Sequence, residues 1–257
     1  MKHCVNLFRA QLILTVLSAA VLGQWPSYPT PGVPKLPDGK PNLDAPAPRT
    51  SDGKPDLSGL WEFVDANRRP RPPAASSSAT PPPAPAPSAP RAGATPLVPG
   101  PFGPSQFFNI GSTLKEGLPF TPWAAALRKE RLENNAKDNP DAHCLPMGLM
   151  QFHTHPQPRK IVQTPNLMVI IYEANYGLRQ ILLDGRPLPH NDPDRWWYGY
   201  SAGHWEGDTL VVETTGFRDD VWLDVEGSPL TSTGKMTERV RRPNFGHLEI
   251  EITVEDP

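Results

Sequence analysis

The chain has 257 residues, of which 35 are proline, and its mean hydropathy is −0.46, so a good part of it cannot pack into a core. Its 25 basic and 27 acidic side chains leave a net charge of −2. This balance excludes the electrostatic footprint of a protein that binds nucleic acid or an anionic membrane.

Residues 1–23 have the pattern of a secretory signal peptide. Lys2 and Arg9 precede an apolar run at residues 12–22, and small residues precede Gln24. A bilayer-spanning helix needs about 20 apolar residues, and this run is shorter. We therefore predict a periplasmic or secreted protein, without membrane insertion once the signal is cleaved.

Proline punctuates residues 24–56, which carry the motif DGKP twice and predict an extended tether that turns at residues 52–55 into a first strand at 57–66. That strand contains Gly59-Leu60-Trp61. A Gly-x-Trp pattern in the first strand resembles the lipocalin and wider calycin barrels. Residues 67–104, which include PPPAPAPSAP, are too rich in proline, alanine and serine to form a core and predict a disordered insert.

One helix is predicted in the segment 105–145, with Thr121 as its N-cap and Pro122 at the first helical position. Trp123, Ala124 and Leu127 share one stripe, which we expect to pack on the outside or over the mouth of a barrel. The charged residues 128–131 are expected to face solvent.

Residues 146–257 predict a series of short strands. Strands are expected at 160–164, 167–173 and 178–183, in a hairpin spanning 198–217 that turns at residues 206–208, around 221–224, and in a last hairpin at 236–254. With the first strand this makes eight or nine strands. The predicted fold is all-β: an antiparallel, calycin-like barrel or strongly curved meander sheet with one flanking helix.

The register of the last hairpin follows from a three-residue loop at 244–246 with a left-handed Gly246. It places Glu238 opposite Ile252 on the inner face of the sheet. A buried carboxylate needs a partner, so Glu238 is either a site residue facing a ligand or half of a structural pair with an arginine such as Arg179. The predicted cross-strand ion pairs on the outer face are Arg241 with Glu249 and Arg239 with Glu251.

The loop before the central hairpin, residues 189–198, is rich in polar and aromatic groups. Trp196, Trp197 and Tyr198 are candidate ligand-binding residues, since paired tryptophans often cover an apolar or carbohydrate ligand. The alternative is that the two tryptophans alternate between the core and the helix. His190 and His204 are the candidate partners of Glu238 if the protein is an enzyme.

A metal site would require more ligands than the sequence offers. If residues 153–155 are extended, His153 and His155 lie on one face at a spacing compatible with zinc or copper, but a third ligand is missing. We therefore predict neither a metal nor a cofactor. Cys144 is the only cysteine after the signal, which leaves a buried thiol, an intermolecular bridge, a missing partner or a nucleophile open.

Several segments resemble a family of uncharacterised exported bacterial proteins: TPWAAALRKERLENN, DAHCLPMG, KIVQTPNLMVIIYE, RQILLDGRPLP, GYSAGHWEGDTLVVETTGF and TERVRRPNFGHLEIEITVEDP. The resemblance implies a secreted β-rich fold and assigns no catalytic residues. Residues 153–155 depart from the usual pattern. Related proteins continue past Pro257, so a fragment is one interpretation of this chain.

The leading prediction is a protein that binds a small apolar or aromatic ligand in the barrel, through Glu238, Arg179 and the aromatic loop. An extracytoplasmic enzyme and a module that binds another protein are the alternatives. A closed apolar cavity favours the first, perturbed carboxylate and imidazole groups that converge within hydrogen-bond reach favour the second, and a filled barrel with an exposed apolar patch favours the third.

Overall fold

The computed structural model of the chain describes residues 32–64, 110–111, 114–190 and 194–257. The predicted signal peptide and the proline-rich insert lie outside these ranges. The described residues divide into two compact units, one that ends at Ala45 and one that begins at Pro46. In the first unit, the first DGKP motif forms a turn closed by a bridge between Lys35 and Pro41. In the second unit, the other DGKP motif forms the same kind of turn between Arg49 and Pro55.

The second unit is built mainly from short strands. Two α-helices occur among its described residues, α1 (Pro122–Glu133) and α2 (Leu149–Thr154), together with short 3₁₀ turns at Pro140–His143 and Ala174–Tyr176. None of the helices in the described ranges is long and apolar enough to span a membrane. The strands are β1 (Gly59–Trp61), β2 (Arg159–Gln163), β3 (Leu167–Tyr172), β4 (Leu178–Leu182), β5 (Tyr200–Glu206), β6 (Thr209–Thr215), β7 (Val221–Trp222), β8 (Pro229–Leu230), β9 (Lys235–Arg241) and β10 (Glu249–Glu255).

Eight of these strands form one strongly curled sheet in the order β1-β2-β3-β4-β5-β6-β9-β10, while β7 and β8 pair separately. The all-β prediction is confirmed, in the form of a curved sheet with the shape of a half-barrel. Strands β1 and β10 are edges, so the sheet does not close among the described residues. The first strand is shorter than predicted, three residues long.

One neighbouring pair of strands differs from the predicted antiparallel arrangement. Strands β4 and β5 run parallel, through the pairs Ile181–Ser201 and Leu182–Ala202. A parallel neighbour needs a long connection, and the polar segment between β4 and β5 supplies it. The sheet therefore consists of two antiparallel parts, β1–β4 and β5-β6-β9-β10, that meet at a narrow parallel junction.

The central hairpin agrees with its prediction. Strands β5 and β6 are antiparallel and joined by a tight turn in which Gly207 has a φ of +60°, a conformation that glycine adopts without steric strain. Leu210, Val212 and Thr214 are completely buried on the inner face.

The register of the last hairpin is also confirmed: Glu238 pairs with Ile252 and Arg241 with Glu249. The predicted left-handed Gly246 is wrong, because this residue is not among those with positive φ. The connection between β9 and β10 is longer than three residues and is held by the side chain of Arg242, which donates to the carbonyl of Phe245 at 2.6 Å. Arg241 donates to Glu249 at 2.6 Å as expected, whereas Arg239 donates to Glu206 instead of Glu251.

Helix α1 has the predicted cap, since the Thr121 hydroxyl accepts from the amide of Ala124 at 3.2 Å. The face that it turns toward the body differs from the prediction, because Trp123 is exposed and the helix buries no residue completely. Two arginines expected in solvent hold it instead. Arg131 lies 4.6 Å above the Trp222 ring and donates to the carbonyl of Gly227 at 2.8 Å, and Arg128 pairs with Glu226.

Helix α2 contributes its side chains to the core of the half-barrel. Leu149 and Phe152 are buried, and the Phe152 ring stacks on that of Tyr172 with centroids 4.1 Å apart. Gly177, which directly precedes β4, makes this possible, because a Cβ there would lie 2.4 Å from the Phe152 ring. Inward-facing residues of the sheet complete the core: Ile161, Met168, Ile170, Ile181, Leu210, Val212, Met236 and Val240.

Candidate functional site

The inner face of the sheet carries charged residues at its centre. Alternation along each strand turns Arg159 of β2, Arg179 of β4 and Glu238 of β9 inward, together with apolar neighbours. Helix α2 presents His153 to the same group. We call these four residues, Arg159, Arg179, Glu238 and His153, the inner charge cluster; their exposed fractions are between 2% and 7%.

Arg179 and Glu238 form the central ion pair of the cluster. The guanidinium meets the carboxylate through both of its terminal nitrogens, with Nη1 3.0 Å from Oε1 and Nη2 bonded to Oε2. Its remaining donors reach the hydroxyls of Ser201, at 3.1 Å, and Thr214, at 2.9 Å. This is the bidentate geometry in which an arginine binds a carboxylate most strongly.

The pair keeps Glu238 ionised. Burial by itself would raise the pKa of Glu238, but attraction to Arg179 and contact with His153 outweigh it and hold the pKa well below its usual range. Burial likewise acts to lower the pKa of Arg179, and the charge of Glu238 more than reverses this. A carboxylate held in this way is a poor proton donor or acceptor near neutral pH.

His153 lies between the ion pair and Arg159. Its Nδ1 is 3.2 Å from Nη1 of Arg159, and its Nε2 is 3.1 Å from Oε1 of Glu238. An arginine only donates, so Nδ1 must accept and the ring proton resides on Nε2. That N–H is not well aligned with the Glu238 oxygen, although the distance is short. Burial, more than any charge, lowers the pKa of His153, so the ring is neutral at neutral pH.

Arg159 differs from Arg179 in its surroundings. It touches the His153 ring and lies 5.7 Å above the ring of Tyr172, and among the described residues no carboxylate lies within ion-pair distance of it. Burial lowers its pKa, and Tyr172 and Glu238 compensate only in part. An arginine nevertheless stays protonated in proteins, so this is a buried positive charge.

Arg159 and His153 also line an open groove of about 640 Å³ between the two edge strands of the sheet, which we call the edge groove. Its floor includes the buried side chains of His153, Thr154 and Arg159, and its rim the exposed Glu62, His247 and Glu249. The volume is in the range of small-molecule sites in proteins. Its main apolar walls are Trp61, Phe63, Met150, Leu248, Ile250 and Ile252.

The structure brings some of the predicted site residues together and separates others. Glu238 and Arg179 meet, as one of the two interpretations of Glu238 required. His204 lies on the outer face, 3.4 Å from Glu206, and His190 is exposed beside a separate pocket of about 340 Å³ with Arg195. Neither histidine accompanies Glu238, so that predicted pairing is wrong.

The predicted aromatic lid does not cover the edge groove. Trp196 is 56% exposed and leans on Tyr200, while Trp197 is partly buried under Arg218, 4.7 Å from its guanidinium. Tyr198 meets Phe152 edge-on at 5.3 Å. Burial raises the pKa of Tyr198 to about 12. Trp197 and Tyr198 thus pack against the core, and the lining of the groove includes none of the three aromatic residues of the loop.

Residues 153–155 do not meet the condition under which His153 and His155 would share a face, because helix α2 runs through Thr154. His153 faces the edge groove, whereas His155 lines a different pocket with Asp141 and Gln157. Within the described ranges, no cluster of three or more histidine, cysteine or acidic residues has a geometry that could hold a metal.

Cys144 is exposed at the end of a 3₁₀ turn, so its interpretation as a buried apolar residue is wrong. His143 next to it bonds to the carbonyl of Lys137 at 2.6 Å.

Sequence reasoning missed His153 as the partner of Glu238, and it missed Arg159 altogether. The spacing of Leu149, Phe152 and His153 is a helical signal that favours the observed arrangement, but six residues are too few to outweigh the extended alternative. Arg159 begins a strand of alternating residues, yet the sequence does not indicate which face of that strand is buried.

The fold and the site define a class: a curled half-barrel with a buried, positively charged cluster beside an open apolar groove. Comparisons with protein-family models, curated proteins and solved structures give no significant match. The resemblance to exported bacterial proteins and the Gly-x-Trp resemblance to calycins therefore stay predictions.

Proposed function

We propose that the chain is an exported protein that binds a small, mainly apolar ligand in the edge groove. The observation that carries this proposal is the groove itself, whose volume of about 640 Å³ and walls of Trp61, Phe63, Ile250 and Ile252 suit a small organic molecule. Export is supported by the signal pattern of residues 1–23.

The ion pair between Arg179 and Glu238 argues against the enzymatic alternative as it was predicted. A general acid or base needs a pKa near the working pH, and the pKa of Glu238 lies far below it. The guanidinium of Arg179 also occupies both carboxylate oxygens. Binding without a reaction at Glu238 is therefore the function that this geometry supports best.

The proposal is tested by titrating the purified full chain with the neutral fluorophore phenylnaphthylamine, whose emission rises in apolar surroundings. Ile252→Trp fills the groove, and Ile171→Trp places the same bulk on the exposed outer face of β3. We expect the wild type and Ile171→Trp to bind equally and Ile252→Trp to bind at least about tenfold more weakly. Binding that is absent in the wild type, or unchanged by Ile252→Trp, contradicts the proposal.

A further inference from the structure

The inner charge cluster is not electrically balanced. It contains two guanidinium groups, those of Arg159 and Arg179, and one carboxylate, that of Glu238, which Arg179 binds directly. His153 is neutral because Arg159 donates to its Nδ1. The cluster therefore has a net charge of about +1 in an environment where an uncompensated charge is unfavourable.

The excess charge resides on Arg159. The Arg179 guanidinium donates its hydrogen bonds to acceptors within the protein, on Glu238, Ser201 and Thr214. Within the part of the chain that the structure describes, the contacts of the Arg159 guanidinium are the His153 nitrogen and the face of Tyr172, and neither carries a negative charge. Its guanidinium therefore has donors left for a further acceptor, of which the planar carboxylate is the best geometric match.

The position of Arg159 directs this charge toward the edge groove. It is 5% exposed and lines the groove beside Thr154 and His153, with apolar walls on the strands to either side. The carboxylates of Glu62 and Glu249 also line the groove, but both residues are exposed at its rim, where water screens them, and Glu249 is paired with Arg241. The deep end of the groove is thus positive and its walls are apolar.

We propose that the edge groove binds a monoanionic organic acid whose carboxylate pairs with Arg159 and whose apolar body lies along Trp61, Ile250 and Ile252. A single negative charge neutralises the inner charge cluster, which a neutral ligand would leave unbalanced. This inference rests on the proposed function, which requires only an apolar ligand, and it adds the chemical class of that ligand.

The test compares decanoate with decanamide, which have the same apolar chain and differ in charge, as competitors of phenylnaphthylamine at neutral pH and below the micelle-forming concentration of decanoate. We expect decanoate to bind at least about tenfold more tightly, as charge-assisted hydrogen bonds to a buried guanidinium imply. Arg159→Gln keeps a donor for His153 but removes the charge, so it should abolish the preference of the groove for decanoate over decanamide. Lys160→Gln, an equal change of charge at the next residue and on the outer face, should preserve the preference.

Equal affinities for decanoate and decanamide in the wild type overturn the inference and leave the proposed function standing. A preference that survives Arg159→Gln overturns it as well. If neither compound nor the fluorophore binds, both proposals fall together. Should Arg159→Gln not fold, the comparison of the two ligands on the wild type decides alone.

Discussion

Arg179 and Glu238 are each 2% exposed, so the contribution of this pair to stability depends on both charges being present. Glu238→Gln keeps the shape of the side chain but leaves Arg179 without its counterion beside the charge of Arg159. We expect the free energy of unfolding to fall by about 3–5 kcal/mol, the usual effect of breaking a buried pair. The measurement is urea denaturation monitored by circular dichroism.

Two further variants separate charge from packing in this experiment. Glu251→Gln, on the exposed outer face of β10, should change stability by less than about 0.5 kcal/mol. The double variant Arg179→Met with Glu238→Leu removes both charges and should be more stable than Glu238→Gln alone. A double variant that is less stable than the single variant would show that the hydrogen bonds to Ser201 and Thr214 outweigh the charge effect.

The buried histidines make stability depend on pH. Because burial lowers the pKa of His153 in the folded state, the unfolded chain takes up a proton first as the pH falls below about 6.5. Stability is therefore complete above that pH and declines below it, by at most about 1.4 kcal/mol per pH unit for one histidine. Burial lowers the pKa of His155 too, so this residue adds a second contribution. The lowered pKa of Glu238 adds a further loss only below about pH 4.3.

Replacing His153 by glutamine isolates the contribution of this residue to the pH dependence of stability. Glutamine can accept from Arg159 and donate to Glu238 without titrating. His153→Gln should therefore make the free energy of unfolding decline less steeply below about pH 6.5, because up to one proton fewer is taken up on unfolding. The check is urea unfolding at a series of pH values, with His204→Gln on the outer face as control. A slope identical to that of the wild type would mean that His153 is already protonated in the fold.

At the scale of elements, arginines attach helix α1 to the body. Arg131 stacks on Trp222 and bonds to Gly227, and glycine is needed at 227 because it has a φ of +86° and a Cβ there would lie 2.9 Å from the Arg131 side chain. Arg131→Ala removes both contacts. We expect a loss of about 1–2 kcal/mol and faster hydrogen exchange of the α1 amides, with no change in β6.

Lys129→Ala is the matched control on the same helix. Lys129 is exposed and lies 3.7 Å from Glu133, one turn further on, a pair that contributes about 0.3–0.5 kcal/mol. Equal effects of the two substitutions on exchange in α1 would contradict the proposed attachment through Arg131.

The elements also show what local pattern can predict. The cap at Thr121, the turn at Gly207 and the register that places Glu238 inward all follow from residues close in sequence, and all three are confirmed. The docking face of α1 does not, because its contacts come from residues 222–227, about a hundred positions away. A local helical pattern favours Trp123 for burial and gives no sign that Arg131 meets an indole ring.

For the whole molecule, the all-β class could be predicted, but the order of strands at one place could not. The polar segment between β4 and β5 allows a hairpin or a crossover, and nothing in its composition distinguishes the two. Whether the sheet closes into a barrel could not be predicted either, since closure depends on pairing between β1 and β10, which are far apart in sequence. The edge groove exists because they do not, and so the best candidate site lies where prediction from the sequence is weakest.

The narrow parallel junction has a consequence for the rates of folding. Strands β2–β4 and the hairpins β5–β6 and β9–β10 pair with neighbours close in sequence, so we expect them to form early, and we expect the contact between β4 and β5, which spans a longer connection, to form later. Arg179 on β4 bonds to Ser201, Thr214 and Glu238 beyond that junction. Contacts made after the transition state govern how fast a protein unfolds. We therefore expect substitution of Arg179 to shorten the lifetime of the folded chain more than it slows folding.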